Sequence, residues 1–405
     1  MTKNLPPSSD LWNAVTPSRR SFLRAVSLGG LAVASSSALA ACGIKGKQVE
    51  AGSCVSIDNS ATVKELNWSN WPAYIDTAKG KHPTLQAFTQ QTGIKVDYTD
   101  EINDNDAFIA KIRNQLGACE PTGRDIIVIT DAQASFMIKN GWVQKLDPAK
   151  LPNVTANLRP EFKDITWDAE GNYHVPWQGG FTGICYNSKL VPEVGSFNDL
   201  ITRSDLKGKV GLLTEMGDTM GFFLLATGAD PNKFTDDEYA DAIDLMKKTV
   251  SSGQIRRFTG NDYIQDMENG NLVACLAWSG DVLSTIQAYD GHPEIKWSYP
   301  EEGYGFWFDS MMVPNQSGQL SNAEELMNYY YDPEVAATVA DWIGYMTPVA
   351  GAQEAMAKVD PSAVDNEAIF PSSEVMEKSF FFMDLDEATY TKYKTDFDTA
   401  ASTAA

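Results

Sequence analysis

The strongest constraint on the fold is the order of hydrophobic periods between Glu65 and Lys139, where strand and helix patterns alternate three times. Glu65-Leu66-Asn67-Trp68 has the two-residue period of a strand, and Pro83 to Gln91 sets Leu85 and Phe88 three apart, as on a helix. Gly93 to Tyr98 alternates again, and Asp106 to Leu116 places Phe108, Ile109, Ile112 and Leu116 on one helical face. Asp125-Ile126-Ile127-Val128-Ile129 then breaks the alternation with a continuous apolar run. Such a run belongs to a strand covered on both faces, the usual state in a parallel sheet. A helix from Asp131 to Lys139 follows, ended by Asn140-Gly141. Repeated β-α-β units of this kind wind a parallel sheet between two helical layers.

A second unit follows Phe181-Thr182-Gly183-Ile184-Cys185-Tyr186. It has strand patterns at Val210 to Thr214, Leu272 to Trp278, Ile295 to Tyr299 and Phe306 to Val313. Helical patterns lie at Thr219 to Thr227, Asp236 to Val250, Asp281 to Tyr289, Asn322 to Tyr331 and Pro333 to Ile343. The patterned stretch from Val63 to Phe397 exceeds the roughly 250–300 residues at which single cores stop growing. The expected fold class is therefore α/β, with two doubly wound lobes joined by crossing strands. Residues 63–181 and 310–350 form lobe 1 on this reading, residues 182–309 and 351–397 lobe 2, and residues 398–405 a disordered tail.

The first residues decide the compartment. Ser18-Arg19-Arg20-Ser21-Phe22-Leu23-Arg24 sets an arginine pair before a weakly apolar run, Ala25 to Ala41, in the layout of a twin-arginine export signal. That run contains Gly29, Gly30 and Ser35-Ser36-Ser37, and falls short of the roughly 20 apolar residues of a permanent membrane span. It ends in Leu39-Ala40-Ala41-Cys42-Gly43, which resembles the lipobox of bacterial lipoproteins. Residues 1–41 are thus expected to be a signal, Cys42 a lipidated anchor on the outer face of the cell membrane, and residues 42–62 a tether. The alternative is a secreted chain cleaved after Ala-x-Ala, with Cys42 an ordinary thiol.

The net charge is −22, and a leader of +3 (Lys3, Arg19, Arg20 and Arg24 against Asp10) leaves the mature chain at −25. That excess argues against nucleic acid, whose phosphates demand Lys and Arg. It is compatible with a cationic ligand, although much of it serves solubility. Besides Cys42 there are four cysteines, Cys54, Cys119, Cys185 and Cys275, enough for two disulfides outside the cytoplasm. Cys185 and Cys275 lie in strand-like runs of one lobe, so their pairing is the expectation.

Motifs of catalysis are lacking. His82, His174 and His292 are far apart, and no metal-binding histidine spacing, Gly-x-Ser-x-Gly elbow, Gly-x-Gly-x-x-Gly or Walker loop occurs. No catalytic residue, cofactor or metal is expected. What stands out is aromatic residues beside acids near strand ends: Asn70-Trp71-Pro72-Ala73-Tyr74-Ile75-Asp76, Trp278-Ser279-Gly280-Asp281, Phe306-Trp307-Phe308-Asp309 and Gly344-Tyr345. Ligands of doubly wound sheets sit outside the carboxyl ends of the strands, where these loops converge. An alkylammonium ion needs that pairing of residue types. Its methylenes pack on indole faces, each ammonium gains roughly 0.5 to 2 kcal/mol from a ring face, and a carboxylate offsets its desolvation. Trp68 shares a strand face with Leu66 and reads as core. Asp281 has a second role open to it, as the N-cap of its helix.

With these residues in view, the chain resembles the spermidine/putrescine-binding proteins of ABC importers over nearly all of residues 63–382. Asn70, Trp71 and Tyr74 match the family's first loop. Gly141-Trp142-Val143-Gln144-Lys145-Leu146-Asp147, Trp278-Ser279-Gly280-Asp281, Pro300-Glu301-Glu302-Gly303, Trp307-Phe308-Asp309-Ser310 and Gly344-Tyr345 follow in the family's order. The resemblance implies a periplasmic-binding-protein type II fold and an amine cage of Trp71, Tyr74, Trp278, Asp281, Trp307, Asp309 and Tyr345, with Asp309 the main carboxylate. It also implies a polyamine as cargo, hinge closure, a membrane permease as partner, and a monomer. Two departures stand out. The acid of the first loop is replaced by Ala73, and Asp131 is expected to supply it from across the cleft. In Thr214-Glu215-Met216-Gly217-Asp218-Thr219, Asp218 is taken as the cleft acid, with Glu215 the other choice. The rival readings are another small amine or osmolyte on the same fold, a ferric-ion receptor, and an extracellular enzyme.

Overall fold

The computed structural model describes residues 54–163, 165–283 and 291–404. The arginine pair, Cys42 and most of the helix expected over Asp281 to Tyr289 lie outside them. In chain order the first elements are β1 (Glu65–Ser69), α1 (Pro83–Thr92), β2 (Lys95–Thr99), α2 (Asn105–Ala118), β3 (Ile126–Thr130), α3 (Asp131–Lys139) and α4 (Pro152–Asn157). The long β4 (Val175–Asn187) leads to α5 (Phe197–Thr202), β5 (Val210–Leu213), α6 (Met216–Thr227), α7 (Asp236–Ser251), β6 (Ile255–Thr259), α8 (Tyr263–Glu268) and β7 (Ala274–Trp278). Then come β8 (Ile295–Ser298), β9 (Tyr304–Met312), α9 (Leu320–Tyr330), α10 (Pro333–Ile343), α11 (Ala352–Val359), α12 (Ser373–Glu377), β10 (Ser379–Phe380) and α13 (Glu387–Ala401).

The main strand order is β2-β1-β3-β9-β4-β7-β5-β6, with β10 beside β9 and β8 beside β4. Each end is a parallel trio, β2-β1-β3 and β7-β5-β6. The antiparallel pair β9 and β4 joins them. The residues explain the division. Ile126 to Ile129 of β3 and all of β5 and β7 are buried, as the apolar runs require. β4 is buried from Val175 to Tyr186 because it crosses the centre of the sheet. The boundaries expected at 181/182 and 309/310 fall inside β4 and β9. Trp68 is 1 % exposed and meets Trp177 edge to face at 5.1 Å, a core residue as its pattern indicates.

Four expectations need correction. Cys185 and Cys275 do not pair: they oppose one another across β4 and β7 as buried free thiols, and the disulfide is Cys54–Cys119. The ladder already holds those two strands, and each thiol packs as a small apolar side chain. Residues 54–62 are not a free tether. Asn59 N–H donates to the Gly318 carbonyl at 2.7 Å, Asn322 N–H donates to Ser60 Oγ at 3.1 Å, and Asp58 accepts from Ser321. Helix α11 packs on α10, with Lys358 paired to Glu334 at 2.6 Å, so residues 352–359 stay with the lobe-1 helices instead of lobe 2. The tail is helical through Ala401, because Phe397 and Ala400 carry a buried face of α13 that far.

Candidate functional site

The loops that follow β1, β3, β5, β6 and β7 meet β9, Tyr345 and the segment Phe380–Leu385 around one cavity. It encloses about 1050 Å³, its open mouth included. All nine residues singled out in the sequence line it: Trp71, Tyr74, Asp131, Asp218, Trp278, Asp281, Trp307, Asp309 and Tyr345. Glu215, the other choice in its loop, lines it as well.

The aromatic residues form a continuous series. Trp71 meets Trp278 at 6.0 Å between ring centres, Trp278 meets Trp307 at 6.4 Å, Trp307 meets Tyr345 at 5.5 Å, and Tyr345 meets Tyr74 at 5.1 Å. Each indole is fixed by its N–H. Trp71 donates to the Val128 carbonyl (3.2 Å), Trp278 to Asp218 (3.2 Å) and Trp307 to Thr182 Oγ1 (3.0 Å). The sheet makes room for the rings with glycine: a Cβ on Gly180 would lie 2.8 Å from Trp307 and from Tyr345, and one on Gly280 would lie 2.3 Å from Tyr345.

Asp309 sits opposite Thr130 in the β3–β9 ladder, so the Thr130 hydroxyl donates to it at 2.5 Å, and Tyr74 donates from the β1 loop at 2.7 Å. Burial lifts its carboxyl to about 7 despite those bonds. Asp218 accepts from Thr182 and Trp278 and is lifted by burial to about 6. Asp281 accepts from Tyr263 (2.6 Å), Tyr345 (2.9 Å) and Asn261 (2.9 Å), and burial raises it too. It serves those three partners within the cavity wall. Asp131 accepts one bond, from Phe308 N–H at 3.2 Å, while its Oδ1 is buried with no partner. Burial pushes it well above the carboxylate range, and the neighbouring charges of Asp309, Asp218 and Asp384 add to the rise. Glu215 accepts from Asn105 N–H (2.9 Å) and Nδ2 (3.0 Å) and is also raised, first by burial.

Six carboxylates therefore line one cavity, counting Asp384, and no Lys, Arg or His stands among its described lining residues. Buried like charges without a cation hold protons instead of ionising. A cation reverses that balance, so the arrangement is suited to a host for positive charge.

The model of the bacterial extracellular solute-binding proteins matches residues 84–371. The chain belongs to that family. Its relatives include the putrescine-binding periplasmic protein SpuD of Pseudomonas aeruginosa, 30% identical over 84% of this chain and 92% of that one. The spermidine/putrescine-binding periplasmic protein of Escherichia coli is 27% identical over 80% of this chain and 88% of that one. In three dimensions the chain superposes on the spermidine/putrescine ABC transporter substrate-binding protein PotD of Streptococcus pneumoniae with a TM-score of 0.67, at 24% identity over 84% of this chain and 99% of that one. The fold is that of the type II periplasmic binding proteins.

Within this solute-binding family member several residues in and behind the cavity wall were not singled out in the sequence. Tyr263 begins α8 next to Asp262, yet the acid its hydroxyl serves is Asp281, and it accepts from Trp278 N–H at 3.0 Å, fixing both. Asn261, in the loop after β6, and Thr130, the last residue of β3, hold carboxylates with no aromatic residue adjacent in sequence. Phe380-Phe381-Phe382-Met383-Asp384 did carry the signal, an aromatic run beside an acid, and it lines the cavity. Ala73, where the resemblance calls for an acid, adopts a φ of 54° and is not among the lining residues.

Proposed function

We propose that this chain is the substrate-binding receptor of an ABC importer, exported by the twin-arginine route, lipid-anchored at Cys42, and specific for a polyamine held between two closing lobes. The observation that carries the reading is the cavity wall of six carboxylates and a series of fixed aromatic rings, without a basic side chain among the described lining residues. The names of its relatives support the same cargo.

In this reading Asp309 is the main anchor for one ammonium group, oriented by Tyr74 and Thr130. Asp281, set by Tyr263 and Tyr345, takes a second, and Asp131 offers its free oxygen in place of the acid missing at residue 73. Trp71, Trp278 and Trp307 pack on the methylenes, and Asp218 steadies Trp278 while adding charge. The solute bridges a lobe carrying Trp71, Tyr74 and Asp131 and a lobe carrying Asp218, Trp278 and Asp281, with Trp307 and Asp309 on the crossing strand between them. Bound solute favours the closed form, which the permease recognises. No chemistry is done on the solute.

A thermal-shift panel of putrescine, spermidine, spermine, betaine, choline, amino acids and ferric citrate tests this. A true solute at 100 times its dissociation constant adds about 2.7 kcal/mol of stability. Polyamines are expected to shift the midpoint. A shift by choline or betaine alone overturns the cargo and leaves the receptor class standing.

A further inference from the structure

The start of α2 gathers bonds from three elements that belong to the other side of the cavity. Asn103 Oδ1 accepts from Asn261 N–H at 3.2 Å, in the loop after β6. Asn105 donates twice to Glu215, which precedes α6. Asp106 accepts from the Tyr390 hydroxyl at 2.9 Å and pairs with Lys394 at 3.6 Å, both on α13. Helix α13 is itself fastened to α7, where the Tyr239 and Tyr393 rings stack at 3.7 Å and Tyr239 donates to the Tyr393 carbonyl at 2.9 Å. It therefore moves with β5, β6 and β7. The crossing strands β4 and β9 join the halves through the chain, whereas the bonds to residues 103–106 span the cavity between the half-sheets and are free to break.

The tightest point of this contact is Gly260. A Cβ there would stand 2.2 Å from the Asn103 carbonyl oxygen, a distance no side chain tolerates. Gly260 is not among the residues with positive φ, so its own backbone accepts alanine. It is not among the cavity-lining residues either. The position is small because the opposite wall comes to it.

We infer that residues 103–106 are the keeper of a latch, engaged by the Gly260 loop, Glu215 and α13, that holds the cleft shut and sets how fast the solute leaves. This rests on the two-lobed, closing receptor described above. It adds a set of positioning residues that act on the solute through closure, and it assigns α13 a task beyond packing. The latch is polar and partly solvated, so it opens at modest cost, as a receptor that must release its cargo requires.

Two arms test it. In the first, the dissociation rate of the panel's best-binding solute is measured for the wild type, Gly260→Ala and Asp106→Ala. Gly260→Ala is expected to speed dissociation about tenfold or more, with association little changed and the ligand-free midpoint within about 2 °C of wild type. Asp106→Ala, which removes the acid shared by Tyr390 and Lys394 but leaves them Gln133 and Asp398, is expected to act in the same direction more weakly. Equal dissociation rates in all three proteins overturn the latch. The second arm needs no solute: Asn103→Cys combined with Asn261→Cys is oxidised with copper phenanthroline and scored by mass. A cross-link is expected, and its absence overturns the closed contact itself. If no polyamine binds the wild type, the cargo reading fails while the cross-link still decides the latch.

Discussion

The two ends of β3 carry buried aspartates of equal exposure and opposite circumstances. Asp125, at the amino end, is 8 % exposed, and both its oxygens are used: Asn67 N–H donates to one at 2.8 Å and the Ser317 hydroxyl to the other at 2.6 Å. Asp131, at the carboxyl end, is also 8 % exposed, yet one of its oxygens has no partner at all. Around Asp125 the strap from Cys54 to Ser60 and the disulfide close the surface. Around Asp131 the wall is acids and rings. A parallel sheet has one end built to be finished and one left to be finished by something else. An unpaired buried polar atom costs about 1–3 kcal/mol, so under the proposed function the second end is where a ligand would supply the missing bond.

Substitutions can break this contrast. The largest effect is expected from Asp309→Asn, which faces Thr130 at the open end: amine binding weakens by ~3–5 kcal/mol, the cost of leaving a buried charge unpaired, while folding stays near normal. Calorimetric titration checks it, and unchanged affinity removes Asp309 from the site. Next comes Cys54→Ser with Cys119→Ser at the closed end. Opening a loop of 65 residues is expected to cost about 4 kcal/mol of stability and to leave affinity within a factor of two; a large loss of affinity would show that the two ends are not separable. Third, Asp125→Asn is expected to destabilise by ~1–3 kcal/mol without touching affinity, whereas Asp131→Asn should stabilise the ligand-free protein and weaken binding by a similar amount. Denaturation and titration of both variants decide, and a swap of those outcomes defeats the comparison.

The smallest effect is of pH. In the ligand-free protein Asp309 is lifted to about 7 and Asp218 to about 6, above the ordinary value of 3.8. A raised carboxyl holds its proton in the folded state, so its contribution to stability is full below about pH 4 and is lost as pH rises through 6 and 7. A polyamine prefers the ionised carboxylates, so its affinity is expected to rise about tenfold between pH 6 and 8. Asp309→Asn should flatten both slopes, and a slope unchanged by that variant assigns the titration elsewhere.

Much of this contrast was legible in the chain. The apolar run of β3 fixed a strand buried on both faces, and the rule that ligands lie beyond carboxyl ends turned the loops at Trp71, Asp131, Asp218 and Trp278 into one site. The closed end was less legible. Cysteine pairing depends on which chain segments meet in space, and the partner of Cys119 lies in a stretch without periodicity whose place comes from hydrogen bonds to α9 and the loop before it. Tyr263 escaped notice because its hydroxyl acts through the backbone and a carboxylate 15 and 18 residues away, distances that no local pattern encodes. The side taken by α11 was equally hidden, since its packing against α10 depends on the turn between them.

The series of rings has an optical consequence. Trp71 and Trp278 come from opposite half-sheets, yet their centres lie 6.0 Å apart, close enough for their excited states to interact. On the proposed function, a cation seated among three indoles would alter their emission, and a parting of the walls would change that coupling. The proposed binding cycle would then write itself into the protein's own fluorescence, readable without a label.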